Sequence, residues 1–276
     1  MYRILTFFIN TNVIVSIAAL CLYKVTEMII GISNPALSLF VFSATLFAYN
    51  YMRLPLYAYI KMNKRNTWLN QNQRIIYIVL LFAFILIIYA LSILGLRFLY
   101  LVMPAFFIGL LYPITIKINN AIYSIRGIPF FKIFLIALTW GYVTFLVPVI
   151  YNNLSIDYTT LDFFFQRVLF VVAISIPFDI RDIEDDQIKT IPKVFGIYES
   201  KIFAWFCLLV IDLLLIIDFI SGVITLPFFI AMFMSIELTS LTLYFSNQHK
   251  SFIFYGFLVE GLSIIMCLFV LIASMI

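Results

Sequence analysis

The chain is poor in charge. Only 11% of its 276 residues are Asp, Glu, Lys or Arg, against about 25% in an ordinary soluble domain. With 65% hydrophobic residues and a mean hydropathy of +1.13, that scarcity excludes a typical soluble enzyme and a disordered chain. Cysteine is scarce too. Cys21, Cys207 and Cys267 lie in apolar runs with no Cys-x-x-Cys pair, which excludes a disulfide scaffold and reads as small core residues. Histidine is nearly absent, and His249 beside Lys250 has no ligand partner in view. There is no zinc pattern, Gly-rich phosphate loop or nucleophile triad. No stretch is long and polar enough for a soluble domain. What remains is an all-α fold: a polytopic membrane helix bundle forming one domain over 1–276.

What is abundant is apolar length. A span takes about 20 mainly apolar residues. Nine segments qualify: roughly 6–30, 34–60, 75–95, 97–114, 130–150, 160–180, 201–220, 222–245 and 251–275. The first reads as a retained helix, not a signal peptide, because the apolar run continues too far. With the N-terminus inside, Lys61, Lys64, Arg65, Arg74, Lys117, Arg126, Lys189, Lys193, Lys201 and Lys250 all fall in cytoplasmic loops. The 151–160 loop outside carries Asp157 and no Lys or Arg. This positive-inside pattern fixes the orientation; Lys24, Arg97 and Arg167 run against it. The net charge of +4 therefore reflects loops, not nucleic-acid binding. A bacterial plasma membrane is the expected location.

The acids are concentrated. Asp179, Asp182, Glu184, Asp185 and Asp186 fall within eight positions at the end of the sixth span. On a continuing helix Asp179, Asp182 and Asp186 share a face. Carboxylates this close repel, so protons or cations must neutralise them. Magnesium suits the role, taking a few carboxylates and filling its other positions with water and phosphate oxygens. The alternative is a solvated charged loop. Acids at a membrane edge with helical spacing more often serve a function.

Asp179-x-x-Asp182-x-x-x-Asp186, followed by Ile188-Lys-Thr-Ile-Pro-Lys-Val-Phe-Gly196, resembles the second aspartate-rich motif of the UbiA family of intramembrane prenyltransferases. The likeness spans the chain in helix count, but only 179–196 is motif-specific. It implies a polyprenyl diphosphate substrate, a lipophilic or aromatic acceptor such as a quinone precursor, and magnesium held by Asp179, Asp182 and Asp186.

The family's first motif, Asn-Asp-x-x-Asp, would fall at Asn50-Tyr51-Met52-Arg53-Leu54. Asn50 is present, while Tyr51 and Leu54 stand at the aspartate positions. Asn50, Arg53, Tyr57 and Lys61 instead make a cationic helical face, which Pro55 interrupts. Arg53 and Lys61 could hold a diphosphate directly. Alternatively, Arg53 could pair with Asp179 or Asp182 and clamp the site shut. Tyr112 and Lys117 loosely resemble the family's Tyr-x-x-x-Lys element, with Lys117 meeting the diphosphate; a snorkelling lysine is the competing reading. Arg126 and Lys132 flank Gly127-Ile-Pro129 and could assist or only enforce orientation.

Asp212, Glu237 and Glu260 lie inside apolar runs. A secondary transporter would use them as ion sites, but no inverted repeat supports that, and hydrogen bonding between helices is the preferred role. The expectation is a prenyltransferase whose diphosphate site combines Asp179, Asp182 and Asp186 with Asn50, Arg53, Lys61, Tyr112 and Lys117. A catalytically silent isoprenoid-binding protein is the alternative.

Overall fold

The computed structural model describes residues 2–54, 68, 71–112, 115–118, 121–124, 128, 130–184 and 189–276. The helices are α1 (Tyr2–Asn10), α2 (Val13–Ile30), α3 (Pro35–Tyr51), α4 (Gln73–Leu111), α5 (Phe131–Tyr151), α6 (Tyr158–Arg181), α7 (Ile191–Phe195), α8 (Ile197–Ile220), α9 (Leu226–Phe245) and α10 (Phe254–Ala273). Between α4 and α5, β1 (Thr115–Ile118) and β2 (Ala121–Ser124) form a short antiparallel hairpin. It is a small β addition to the expected all-α fold.

Among the described residues, seven helices are long and apolar enough to cross a bilayer. The expected nine are recovered by two readings of the same helices. First, α4 is two spans in one 39-residue helix, broken at Gly95, whose φ 78° and ψ 178° suit glycine alone. Second, α3 is apolar over 17 residues and ends at Tyr51, one residue short of the 18-residue α2. The first expected span is itself divided. Asn12 adopts a left-handed conformation at φ 61°, which asparagine tolerates better than most residues, so the chain turns between α1 and α2.

Local signals set the boundaries. Asn34 caps α3, its side chain accepting from Ala36 and Leu37 N–H at 3.1 Å, with Pro35 at the first helical position. Asp157 caps α6 by accepting from Thr160 N–H at 2.9 Å. Pro148 has no N–H to give the carbonyl of Thr144. That carbonyl accepts instead from Thr26 Oγ1 at 2.8 Å, tying α5 to α2 beside a π-helical turn at Tyr142–Leu146.

Each spanning helix packs on its chain neighbours, and α10 closes the circuit against α2. The main core joins α2, α5, α6, α8, α9 and α10. A second cluster joins α2, α3, α4 and α5 around Phe40 and Phe98. α6 is the most enclosed helix, with 72% of its apolar window buried against 22% for α4. Ile78, Leu81, Ile85 and Leu96 of α4 face outward, as a lipid-facing surface requires.

The three cations that break the positive-inside pattern all have local partners. Arg167 is buried and donates to the Leu22 carbonyl at 2.6 Å. Lys24 pairs with Glu27 at 2.5 Å. Arg97 donates to Asn153 Oδ1 at 2.6 Å and the Ile150 carbonyl at 3.1 Å. Their positions follow side-chain contacts, which explains why they are poor guides to orientation.

Candidate active site

The C-terminal ends of α3 and α6 meet at one end of the bundle. Arg53 and Arg181 line one crevice there, together with Ile9, Asn12, Phe178 and Glu260. The expected convergence of the second and sixth spans is thus present, but the charged residue that α6 brings to this crevice is a cation, Arg181. Arg53 Nη1 donates to the Asn10 carbonyl at 3.1 Å. The Arg181 guanidinium lies 5.3 Å from the Phe178 ring centroid and 5.5 Å from that of Tyr255. Such stacking holds the planar fork in place while leaving its edges for oxygen ligands.

Asn50 is fully buried. Its Nδ2 donates to the Thr11 carbonyl at 2.9 Å and the Leu46 carbonyl at 2.8 Å, and its Oδ1 accepts from Asn12 Nδ2 at 3.1 Å. It ties α3 to the turn between α1 and α2. In this geometry Asn50 acts on the site by fixing the helix end that carries Arg53.

The aspartates have cationic partners. Asp179 Oδ1 accepts from Lys132 Nζ at 2.8 Å, with side-chain exposures of 7% and 16%. Removing one partner of so buried a pair costs roughly 3–5 kcal/mol. Asp179 and Lys132 line a second crevice with Lys189, Thr190 and Ile191, and Phe130 N–H donates to the Lys189 carbonyl at 3.4 Å. The Lys-Thr-Ile-Pro segment therefore folds back beside Asp179. Asp182 accepts from Arg181 Nε at 2.6 Å and Nη2 at 2.7 Å, at side-chain exposures of 33% and 21%. Asp182 is the more exposed of the two aspartates, so its pair with Arg181 is the one an incoming anion reaches more readily.

No protein-family model matches the chain, and no curated protein matches it in sequence. Solved structures do match. The apo structure of a UbiA homolog from Aeropyrum pernix K1 aligns with TM-score 0.66 at 15% identity, over 93% of this chain and 97% of that one. A structure described as giving insight into digeranylgeranylglyceryl phosphate synthase in membranes aligns with TM-score 0.54 at 16% identity, over 99% and 98%. The chain has a UbiA-like fold. At such low identity the likeness speaks for architecture and leaves the chemistry to the residues.

The UbiA-like fold raises the question of magnesium. Among the described residues, no group of three or more His, Cys, Asp or Glu side chains is placed to hold a metal ion. Asp179 shares its crevice with Lys132 and Lys189, and Asp182 lies against Arg181. Each of these carboxylates already has a cation beside it, which weakens its attraction for a divalent ion. The described donors do not fit a carboxylate-held magnesium. Asp186 and Lys61 lie outside the described residues. Lys117 is on β1, with its side chain also outside the description. Tyr112 ends α4, its N–H donating to the Ile108 carbonyl at 2.9 Å.

Sequence reasoning passes over Arg181, because it stands among acids that draw the eye. The available signal is the i, i+3 spacing of Phe178 and Arg181, which sets a guanidinium on an aromatic face. Glu260, read as an interhelical hydrogen-bonding residue, lies on the crevice itself. Asp212 Oδ1 is buried without a hydrogen-bond partner, so that oxygen does not make the interhelical bond expected of it.

Proposed function

We propose that the chain is an intramembrane prenyltransferase, moving a polyprenyl group from a polyprenyl diphosphate to an aromatic or quinone-precursor acceptor. The meeting of Arg53 and Arg181 in one crevice of a UbiA-like bundle carries this reading. The reaction suits such a site. The bond between the allylic carbon and the diphosphate oxygen breaks, and both electrons leave with the diphosphate. Fixed guanidinium groups stabilise the charge that grows on that oxygen. A ring carbon of the acceptor then supplies the electron pair for the new carbon–carbon bond, and the ring returns its proton to a base. Water must be kept from the allylic cation, and the apolar bundle provides that exclusion. The prenyl tail lies among lipid and aromatic side chains, of which the chain has 31 Phe and 17 Tyr. We place the N-terminus and the crevice on the cytoplasmic side of a bacterial plasma membrane, following the loop charges.

A second reading is favoured by Tyr51 and Leu54 at the first-motif positions and by the pairing of both aspartates with cations. It is a catalytically silent protein that binds an isoprenoid. Turnover separates the two. Purified protein in lipid is incubated with labelled isoprenyl diphosphates and a panel of aromatic acceptors, beside Asp182→Asn and Arg53→Ala. Release of pyrophosphate with labelled product, lost in Arg53→Ala, is expected. Binding without product from any acceptor would favour the silent protein. No binding of any prenyl diphosphate would end both readings.

A further inference from the structure

We propose that this chain grips its diphosphate through the guanidinium pair Arg53 and Arg181, without a divalent ion bridging it to Asp179 and Asp182. The inference rests on the diphosphate-binding reading and specifies how the head group is held. Three independent observations carry it. The positions where the family's first aspartates would stand are Tyr51 and Leu54, so the α3 side of the site brings a guanidinium where carboxylates would be. Asp179 is buried against Lys132 at 2.8 Å, in a crevice that Lys189 also lines. Arg53, in the turn after α3, and Arg181, on α6, line one crevice, and a guanidinium is suited to paired hydrogen bonds with phosphate oxygens.

The division of labour follows from exposure. Lys132 and Asp179 form an inner pair that fixes the start of α5 against the end of α6. Asp182 and Arg181 form an outer pair, bidentate and partly wet. A diphosphate entering the crevice replaces Asp182 on Arg181, as one oxyanion exchanges for another of higher charge. Asn50 and Asn10 hold the α3 side: Asn50 through its amide network, Asn10 through its carbonyl to Arg53. Phe178 and Tyr255 hold the Arg181 fork from the α6 and α10 sides. Glu260 lies on the same crevice and keeps it near neutral until the ligand arrives.

The test is binding of farnesyl diphosphate to the full chain in lipid nanodiscs, measured in excess EDTA and in millimolar magnesium. Affinity within about threefold in the two conditions is expected, with Arg53→Gln and Arg181→Gln each weakening binding by about tenfold or more in EDTA. Arg181→Lys keeps the charge but not the fork; it should bind more weakly than wild type and better than Arg181→Gln, which guards against a folding defect in the glutamine variant. Binding that falls more than about tenfold on removing magnesium overturns the inference and leaves the prenyl diphosphate reading standing. Absence of binding in both conditions removes that reading, and the inference with it. Wild-type affinity in both glutamine variants places the head group elsewhere and also overturns it.

Discussion

Replacing Lys132 with methionine isolates the pair that holds Asp179. Most of the side chain's length is kept and its charge is removed. At 2.8 Å and an effective dielectric near 20, the gross attraction is about 6 kcal/mol. Desolvation offsets much of that in the intact pair. The variant removes the attraction and leaves a carboxylate that is only 7% exposed to bear its desolvation, a loss of about 3–5 kcal/mol. The assay is the unfolding free energy in mixed micelles, by titration with a denaturing detergent. Asp179→Asn in the Lys132→Met background removes the buried carboxylate charge, and a coupling of about 2 kcal/mol or more between the two sites is expected. A Lys132→Met variant within about 0.5 kcal/mol of wild type, or strict additivity in the double variant, would refute the reasoning and return Asp179 to consideration as a metal ligand.

Gly95→Ala places a β-carbon at φ 78° and ψ 178°, where nothing lies within 4 Å of it; the cost is backbone strain alone, about 1–3 kcal/mol, read in the same unfolding assay. Gln166 Nε2 donates to Asp162 at 2.6 Å and to Asp218 at 2.9 Å, so Gln166→Leu takes a shared donor from two buried carboxyls and should destabilise the bundle by about 1–3 kcal/mol, whereas an unchanged midpoint would show that water takes over the donor's role. Asp157, with its carboxylate held below the usual range chiefly by the Thr160 N–H, contributes stability at neutral pH that is lost as pH falls through its lowered pKa. Asp157→Ala should therefore lower stability at pH 7 and bring no further loss at strongly acidic pH, which parallel unfolding curves at the two pH values check.

The fold was legible because a membrane solvent makes apolar length decisive. Nine runs of about 20 residues could be counted without knowing how they pack. The breaks inside those runs were harder to read. The break in α4 is the exception, since Gly95 and Arg97 mark the boundary between the third and fourth spans and the backbone angles at Gly95 place the kink there. Asn12 offers a polar residue but not the left-handed turn that divides the first span. The convergence of α3 and α6 was legible from polar residues at both helix ends. The sign of the charge that α6 brings there was not, because Arg181 lies one residue from Asp182 and which of them lines the crevice with Arg53 depends on where α6 stops. Lys132 could be read as a loop cation near the site. Its pairing with Asp179 is a contact between residues 47 apart in sequence, which no local spacing encodes. Arg167 illustrates the converse: a cation that looks like an orientation marker is buried against carbonyl and hydroxyl oxygens of other helices.

The most direct test is a structure of the chain in lipid with an unreactive prenyl thiodiphosphate. The account predicts the two phosphorus atoms between Arg53 and Arg181, at the joined ends of α3 and α6, with the tail running into the bilayer. Density for the head group at the opposite end of the bundle, or at the outward face of α4 away from both arginines, would contradict it.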